Sequence, residues 1–171
     1  MADYLNTLVF GIYPYICLAV LAIGSILRYD REPYTWRSGS SQLLRRRQLI
    51  MGSVLFHAGV LIVFFGHLVG LLTPIRLFEI IGISHGAKQI MAIVVGGIAG
   101  LLALIGATLL AHRRLFDARV RATSTFGDNA VILLLWLQLA LGLLTIPISM
   151  HHLDGHEMVK FMTWAQGIFT F

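Results

Sequence analysis

The segment from Met51 to Pro74 reads MGSVLFHAGVLIVFFGHLVGLLTP, and it decides the fold. No Lys, Arg, Asp or Glu interrupts the chain from Leu49 to Leu72. A hydrocarbon core about 30 Å thick needs roughly 20 apolar residues of helix. The segment therefore predicts a helix that spans a membrane.

The same segment holds two histidines, His57 and His67, ten positions apart. On an α-helix that spacing gives about 15 Å of axial rise and about 80° of rotation, so the rings lie at two depths on roughly one side. One interpretation is that each ring hydrogen-bonds a neighbouring helix. The other is that each ring ligates haem iron, because no acidic or basic residue lies beside them to form a proton relay and imidazole is the usual ligand of b haem. Two such rings in one span suggest two cofactors in series.

The composition places the whole chain in a membrane. Of its 171 residues, 57% are hydrophobic and only 12% are charged, and the mean hydropathy is +0.81. A net charge of +5 could suggest nucleic acid, but the basic residues are confined to loops that flank apolar runs, so orientation in the membrane explains them better and no nucleic-acid partner is expected. The single Cys17 allows no internal disulfide.

The hydropathy pattern predicts an all-α membrane protein, a bundle of four transmembrane helices in one domain covering residues 1–171. The predicted spans are residues 5–27, 49–72, 87–111 and 130–150. From Glu157 to Phe171, the helical spacing of Met158, Phe161, Ala165 and Ile168 predicts a short interfacial helix with these residues on its apolar face. The successive loops carry six, two, four and one basic residues. By the positive-inside rule, the first loop is cytoplasmic and the N-terminus is outside.

Glycines form stripes on two of the predicted spans. Gly52, Gly59 and Gly66 recur every seven residues with Gly70 one turn beyond, and the next span carries Gly96, Gly97 and Gly100. Such a stripe lets another backbone or a flat group come close. Helix packing is favoured over porphyrin contact at both stripes.

Three basic residues at span ends have both a structural and a functional interpretation. Lys88 stands near the membrane level of His67, where it either snorkels to the interface or hydrogen-bonds a quinol oxygen or a haem propionate. Arg113 and Arg114 are interpreted as topology determinants, with pairing to propionates as the alternative. His85 and His112 also lie at span ends, where water satisfies them, and neither is favoured as an iron ligand.

The cluster HHLDGH contains His151, His152, Asp154 and His156. Its composition suits a metal, but its spacing fits no established zinc pattern. Incidental polarity in an aqueous loop is the favoured interpretation.

Twelve short segments, in order along the chain, resemble one known family. They are IYPY (12–15), LRYD (27–30), YTWR (34–37), LFH (55–57), FGH (65–67), LTP (72–74), KQ (88–89), RRLF (113–116), RVRAT (119–123), ALGLLTIP (140–147), LDG (153–155) and WAQ (164–166). The family is the gamma subunit of bacterial respiratory nitrate reductase, a membrane cytochrome b.

The resemblance implies a quinol-oxidising subunit with two b haems in the bacterial inner membrane. It would pass electrons inward to an iron–sulfur subunit and a molybdenum catalytic subunit on the cytoplasmic side. The histidine matching His57 ligates the inner haem in that family, and the one matching His67 ligates the outer haem. The lysine matching Lys88 belongs to the quinol site.

The family pattern also implies a fifth span with the second histidine ligand of each haem. No other histidine of this chain lies at the depth of His57 or His67. This chain alone is therefore expected not to hold two bis-histidine haems, which is what a C-terminally truncated form of the subunit would show.

Two rival functions remain. One is a haem-free membrane anchor that docks a soluble redox partner. The other is a small transporter using both histidines as proton carriers, which is disfavoured because no acidic residue lies within a span.

Overall fold

The computed structural model describes residues 2–35, 41–151 and 153–170. Arg37 of the predicted cytoplasmic loop and His152 of the HHLDGH cluster lie outside these residues. Within them, the prediction of an all-α protein is confirmed, since they contain helices and no strand.

Eight α-helices and two irregular helical turns make up the described chain. In order they are α1 (Ala2–Asn6), a π-helical turn (Thr7–Ile12), α2 (Tyr13–Arg31), a 3-10 turn (Pro33–Thr35), α3 (Arg46–Leu72), α4 (Ile75–Ile80), α5 (His85–Phe116), α6 (Ala118–Ala122), α7 (Phe126–Met150) and α8 (His156–Thr170). Four stretches are long and apolar enough to cross a membrane: Asp3–Arg31, Arg46–Leu72, His85–Phe116 and Phe126–Met150. These confirm the four predicted spans, and α8 confirms the predicted C-terminal helix.

The chain divides into two compact units, residues 1–38 with 167–171, and residues 39–166. The first unit contains the first span, which is continuous through its π-helical turn. The N–H of Tyr13 donates to Leu8 O, five residues back. Proline has no N–H and its ring clashes with the carbonyl four residues back in an α-helix, so the wider turn gives Pro14 the room it needs. Its place near one end of the predicted span is where such a break is tolerated.

The second unit is organised around α5, which packs against α3 on one side and α7 on the other. The buried residues of α5 are mostly small. Ala99, Ala103, Ala107 and Ala111 recur every four positions along one stripe, with Gly100 and Gly106 beside it. Small residues at this spacing let helices approach closely. In lipid, helices associate through such close packing, because the lipid tails are as apolar as the side chains and no hydrophobic effect drives the helices together.

The backbones of α3 and α5 are in direct contact at two glycines. A methyl group added at Gly59 would lie 2.9 Å from the Cα of Ala103, and one added at Gly106 would lie 2.7 Å from Gly52 O. On the opposite side of α5, a methyl at Gly97 or Gly100 would press on Ile146 or Leu143 at 3.2 Å and 3.0 Å. Helix packing, the favoured interpretation of the stripes, is thus confirmed at these positions.

The loop segment just before α3, residues 41–45, is hydrogen-bonded to residues at the C-terminal end of α5. Arg113, which is only 3% exposed, donates from its guanidinium to Leu44 O at 2.7 Å and to Ser41 Oγ at 3.1 Å. Arg45 pairs with Asp117 at 2.6 Å, and Arg114 pairs with Asp128 at 3.1 Å. These arginines therefore bind protein groups, whichever side of the membrane the loop occupies. The topology and the single-domain organisation remain predictions.

Asp117 follows the last residue of α5 and is the carboxylate that pairs with Arg45 of this loop segment. The backbone N–H of Val120 and the side chain of Arg45 hold the pKa of its carboxyl below its usual value, because both stabilise the charged form. A carboxyl whose pKa is lowered on folding stabilises the fold above its unfolded pKa, and this contribution is lost as the pH falls.

Replacing Gly106 with Val should destabilise the protein by about 1–3 kcal/mol, because the side chain would force α3 and α5 apart. Gly142→Val on α7 is the matched control, since a Cβ there meets nothing within 4 Å. Thermal unfolding followed by circular dichroism in detergent measures both. Equal melting temperatures for the two variants would contradict the close packing.

Replacing Asp117 with Asn should expose the loop before α3 at pH 7. Hydrogen–deuterium exchange of peptides covering residues 41–50, corrected for intrinsic rates, is expected to be faster in the variant. Wild-type protection should be kept down to the ordinary pKa of a carboxyl, about 4, and fall only below it, because Asp117 takes up its proton at a lower pH than a free carboxyl does. Asp154→Asn, in a different turn, serves as the control. Identical protection of wild type and Asp117→Asn at pH 7 would refute the role of this carboxyl.

Candidate functional site

In both histidines of α3, the ring atom Nδ1 lies against the backbone carbonyl four residues earlier in the helix. The Nδ1 atom of His57 lies 2.7 Å from Ser53 O, and that of His67 lies 2.8 Å from Val63 O. A backbone carbonyl only accepts hydrogen bonds, so Nδ1 carries the proton and donates in each ring. Nε2 is then the nitrogen with the lone pair in the neutral ring.

The two Nε2 atoms are directed away from their own helix. Both side chains are exposed on the surface of this chain, and neither Nε2 makes a hydrogen bond within the described residues. Ligating histidines characteristically donate their other N–H to a carbonyl or carboxylate, which fixes the tautomer and the orientation of the ring. The arrangement at His57 and His67 can bind a metal through Nε2 without any change of tautomer.

Two glycines near His67 differ from the rest of their stripe. A methyl group added at Gly66 or Gly70 would meet nothing within 4 Å, whereas Gly52 and Gly59 are packed against α5. The stripe thus has a closed half, Gly52 and Gly59, near His57 and an open half, Gly66 and Gly70, near His67. A flat group can approach the α3 backbone in the open half.

Lys88 reaches this open half from the start of α5. Its ammonium donates to Gly70 O at 2.7 Å and to the Sδ atom of Met162 at 2.8 Å, and it lies 4.1 Å from the centre of the Phe78 ring. The residue is 3% exposed, so it does not snorkel to the surface of the described chain. Gly70 is three residues beyond His67, so the ammonium contacts the α3 backbone on the C-terminal side of that histidine.

Several other polar residues singled out from the sequence have partners within the protein. His85 Nε2 pairs with Glu79 at 3.1 Å, and His112 Nδ1 lies 3.3 Å from the side-chain nitrogen of Gln48. Arg113 and Arg114 are engaged as described above. Asp154 accepts a hydrogen bond from the N–H of His156 at 3.2 Å. Within the described ranges, no group of three or more His, Cys, Asp or Glu side chains could hold a metal ion.

The sequence alone did not reveal Met162 as a neighbour of Lys88. The sequence spacing predicts an apolar face of α8 made of Met158, Phe161, Ala165 and Ile168. In the structure, Phe161 is 58% exposed and Met162 is 2% exposed. The buried face therefore passes through Met162. Met158, Met162 and Ala165 do lie at i, i+4 and i+7, which is the signal that could have identified it.

Comparison with known proteins agrees with the sequence motifs. The family described as "Nitrate reductase gamma subunit" matches residues 6–171. The chain is 51% identical over 171 residues to the respiratory nitrate reductase 2 gamma chain of Escherichia coli strain K12, covering 100% of this chain and 75% of that protein.

Two further relatives carry related names. The respiratory nitrate reductase 1 gamma chain of the same strain is 52% identical over 169 residues, covering 99% of this chain and 75% of the relative. The nitrate reductase gamma chain of Bacillus subtilis strain 168 is 41% identical over 135 residues, covering 79% and 60%. The chain belongs to the nitrate reductase gamma subunit family.

Proposed function

We propose that this chain contributes His57 and His67, one iron ligand for each of two b haems, to the dihaem cytochrome b subunit of a respiratory nitrate reductase. It oxidises quinol at the outer face of the bacterial inner membrane and delivers electrons to iron–sulfur and molybdenum subunits on the cytoplasmic side. The observation that carries the proposal is the shared geometry of His57 and His67, whose Nδ1 atoms donate to carbonyls and leave both Nε2 atoms open.

The donor set suits haem better than a bare metal ion. A porphyrin supplies four ligands of its own, so the protein needs to add only axial imidazoles. Within the described residues no cluster of three protein ligands exists, and each of the two histidines stands by itself. The open glycines beside His67 also suit a flat macrocycle.

When bound, b haem supplies one-electron transfer at each histidine, and the protein supplies ligation and orientation. Ser53 O and Val63 O hold the two rings by Nδ1, so each Nε2 would be available to a haem iron. Lys88 would offer its ammonium to a quinol oxygen on the C-terminal side of His67. Quinol then loses two electrons inward and two protons outward. Each charge moved across the membrane against 100 mV is worth about 2.3 kcal/mol, so the reaction conserves energy without a pump.

Replacing His57 or His67 with Ala in the complete, natively assembled enzyme should remove one haem each time. The α band of dithionite-reduced membranes is expected to fall to roughly half in each variant, because each loses one of two chromophores. Quinol-dependent nitrate reduction should be lost in both. His85→Ala and His112→Ala are the matched controls and should keep the full band.

The outcomes of this experiment separate the rival functions. A wild-type complex without any b-type band would favour a membrane anchor that carries no haem. A full band in both His57→Ala and His67→Ala would assign the iron ligands elsewhere.

Replacing Lys88 with Met should lower kcat/KM for quinol by about 10- to 100-fold, the range expected for a lost hydrogen bond to a charged group. The haem band should be retained. Lys160→Met is the control, because that lysine is exposed and paired with Glu157 at 2.7 Å. Normal quinol kinetics in Lys88→Met would refute the quinol site but not the haem ligands.

A further inference from the structure

The ammonium of Lys88 has two acceptors that differ in strength and in mobility. Gly70 O belongs to the backbone of α3 and cannot move without the helix. Met162 Sδ belongs to a side chain with three rotatable bonds, and a thioether is only a weak acceptor. The weaker and more mobile of the two contacts is therefore the one that a ligand can replace.

Met162 closes the site from α8. It is among the largest fully buried side chains of the described residues, at 2% exposed, and its sulfur lies 2.8 Å from Lys88 Nζ. The Phe78 ring lies on the same ammonium at 4.1 Å and accepts no conventional hydrogen bond. A ligand oxygen can reach this cation when Met162 gives way.

The helix that carries Met162 is anchored independently of that side chain. One turn further along α8, Gln166 donates to Leu71 O at 2.9 Å and to Thr73 O at 3.2 Å. These carbonyls lie at the end of α3, where backbone acceptors have no helical partner. The Met162 side chain can thus rotate away while α8 stays in place.

We propose that Met162 is a positioning residue that holds Lys88 in a closed site until a quinol oxygen displaces its sulfur. This inference rests on the proposed function. A hydroxyl or carbonyl oxygen is a stronger acceptor than a thioether, so the exchange favours the ligand, and the required motion is confined to one flexible side chain. Met162 sets how tightly quinol binds, whereas the electron transfer that follows does not involve it.

The test replaces Met162 with Leu, which keeps the volume and removes the acceptor, and with Gln, which offers a stronger acceptor at similar reach. The KM for quinol of the complete enzyme is expected to fall about 2- to 10-fold in Met162→Leu and to rise by a similar factor in Met162→Gln, with kcat unchanged. Met158→Leu, one turn earlier on α8, is the matched control and should leave both constants unchanged.

A second readout uses binding without turnover. The Kd of a water-soluble quinone analogue, measured by quenching of tryptophan fluorescence, should shift in the same directions as KM. Unchanged or equally weakened binding in both Met162 variants would overturn the inference if Lys88→Met still impairs quinol oxidation. If Lys88→Met has no effect either, the quinol site itself is wrong, and the role of Met162 falls with it.

Discussion

The contact between the backbones of α3 and α5 is the constraint on which the rest of the second unit depends. It requires glycine at Gly59 and Gly106, since a side chain at either position would collide with the opposite helix. Two residues along a helix turn it by about 200°, so the face that carries His57 is directed away from α5. One packing interaction thus covers the half of the stripe that contains Gly52 and Gly59 and presents an imidazole on the opposite side.

The polar groups of this unit complete backbone positions that a helix leaves unsatisfied. Lys88 and Gln166 reach the carbonyls at the end of α3, and Arg113 reaches those of the loop before it. In an apolar environment an unsatisfied carbonyl costs several kcal/mol, so long side chains from neighbouring helices are well suited to reach them. The need to satisfy the carbonyl of Gly70 also explains why the Lys88 side chain is buried and directed towards α3.

Much of this architecture can be read from the sequence because apolar length is a local property. The four spans follow from apolar runs with almost no charged residue, and the two histidines are visible inside one run. The protonation of their rings cannot be read in this way, since it depends on the carbonyls of Ser53 and Val63. The partners of Lys88 are harder still, because Met162 is 74 positions away and α8 presents a face one residue removed from the expected one.

The π-helical turn of the first span links chain length to orientation. Its hydrogen bonds reach five residues back, so it holds more chain per turn than an α-helix does. Removing a single residue between Thr7 and Ile12 and restoring ordinary winding would leave the residues before it facing nearly the same way relative to α2, because the wider turn takes up one extra residue. Proline at position 14 opposes that rewinding, because the tighter coil would bring its ring against the carbonyl four residues back. The wide turn thus lets the first span contain one more residue without a change in the faces that its two ends present.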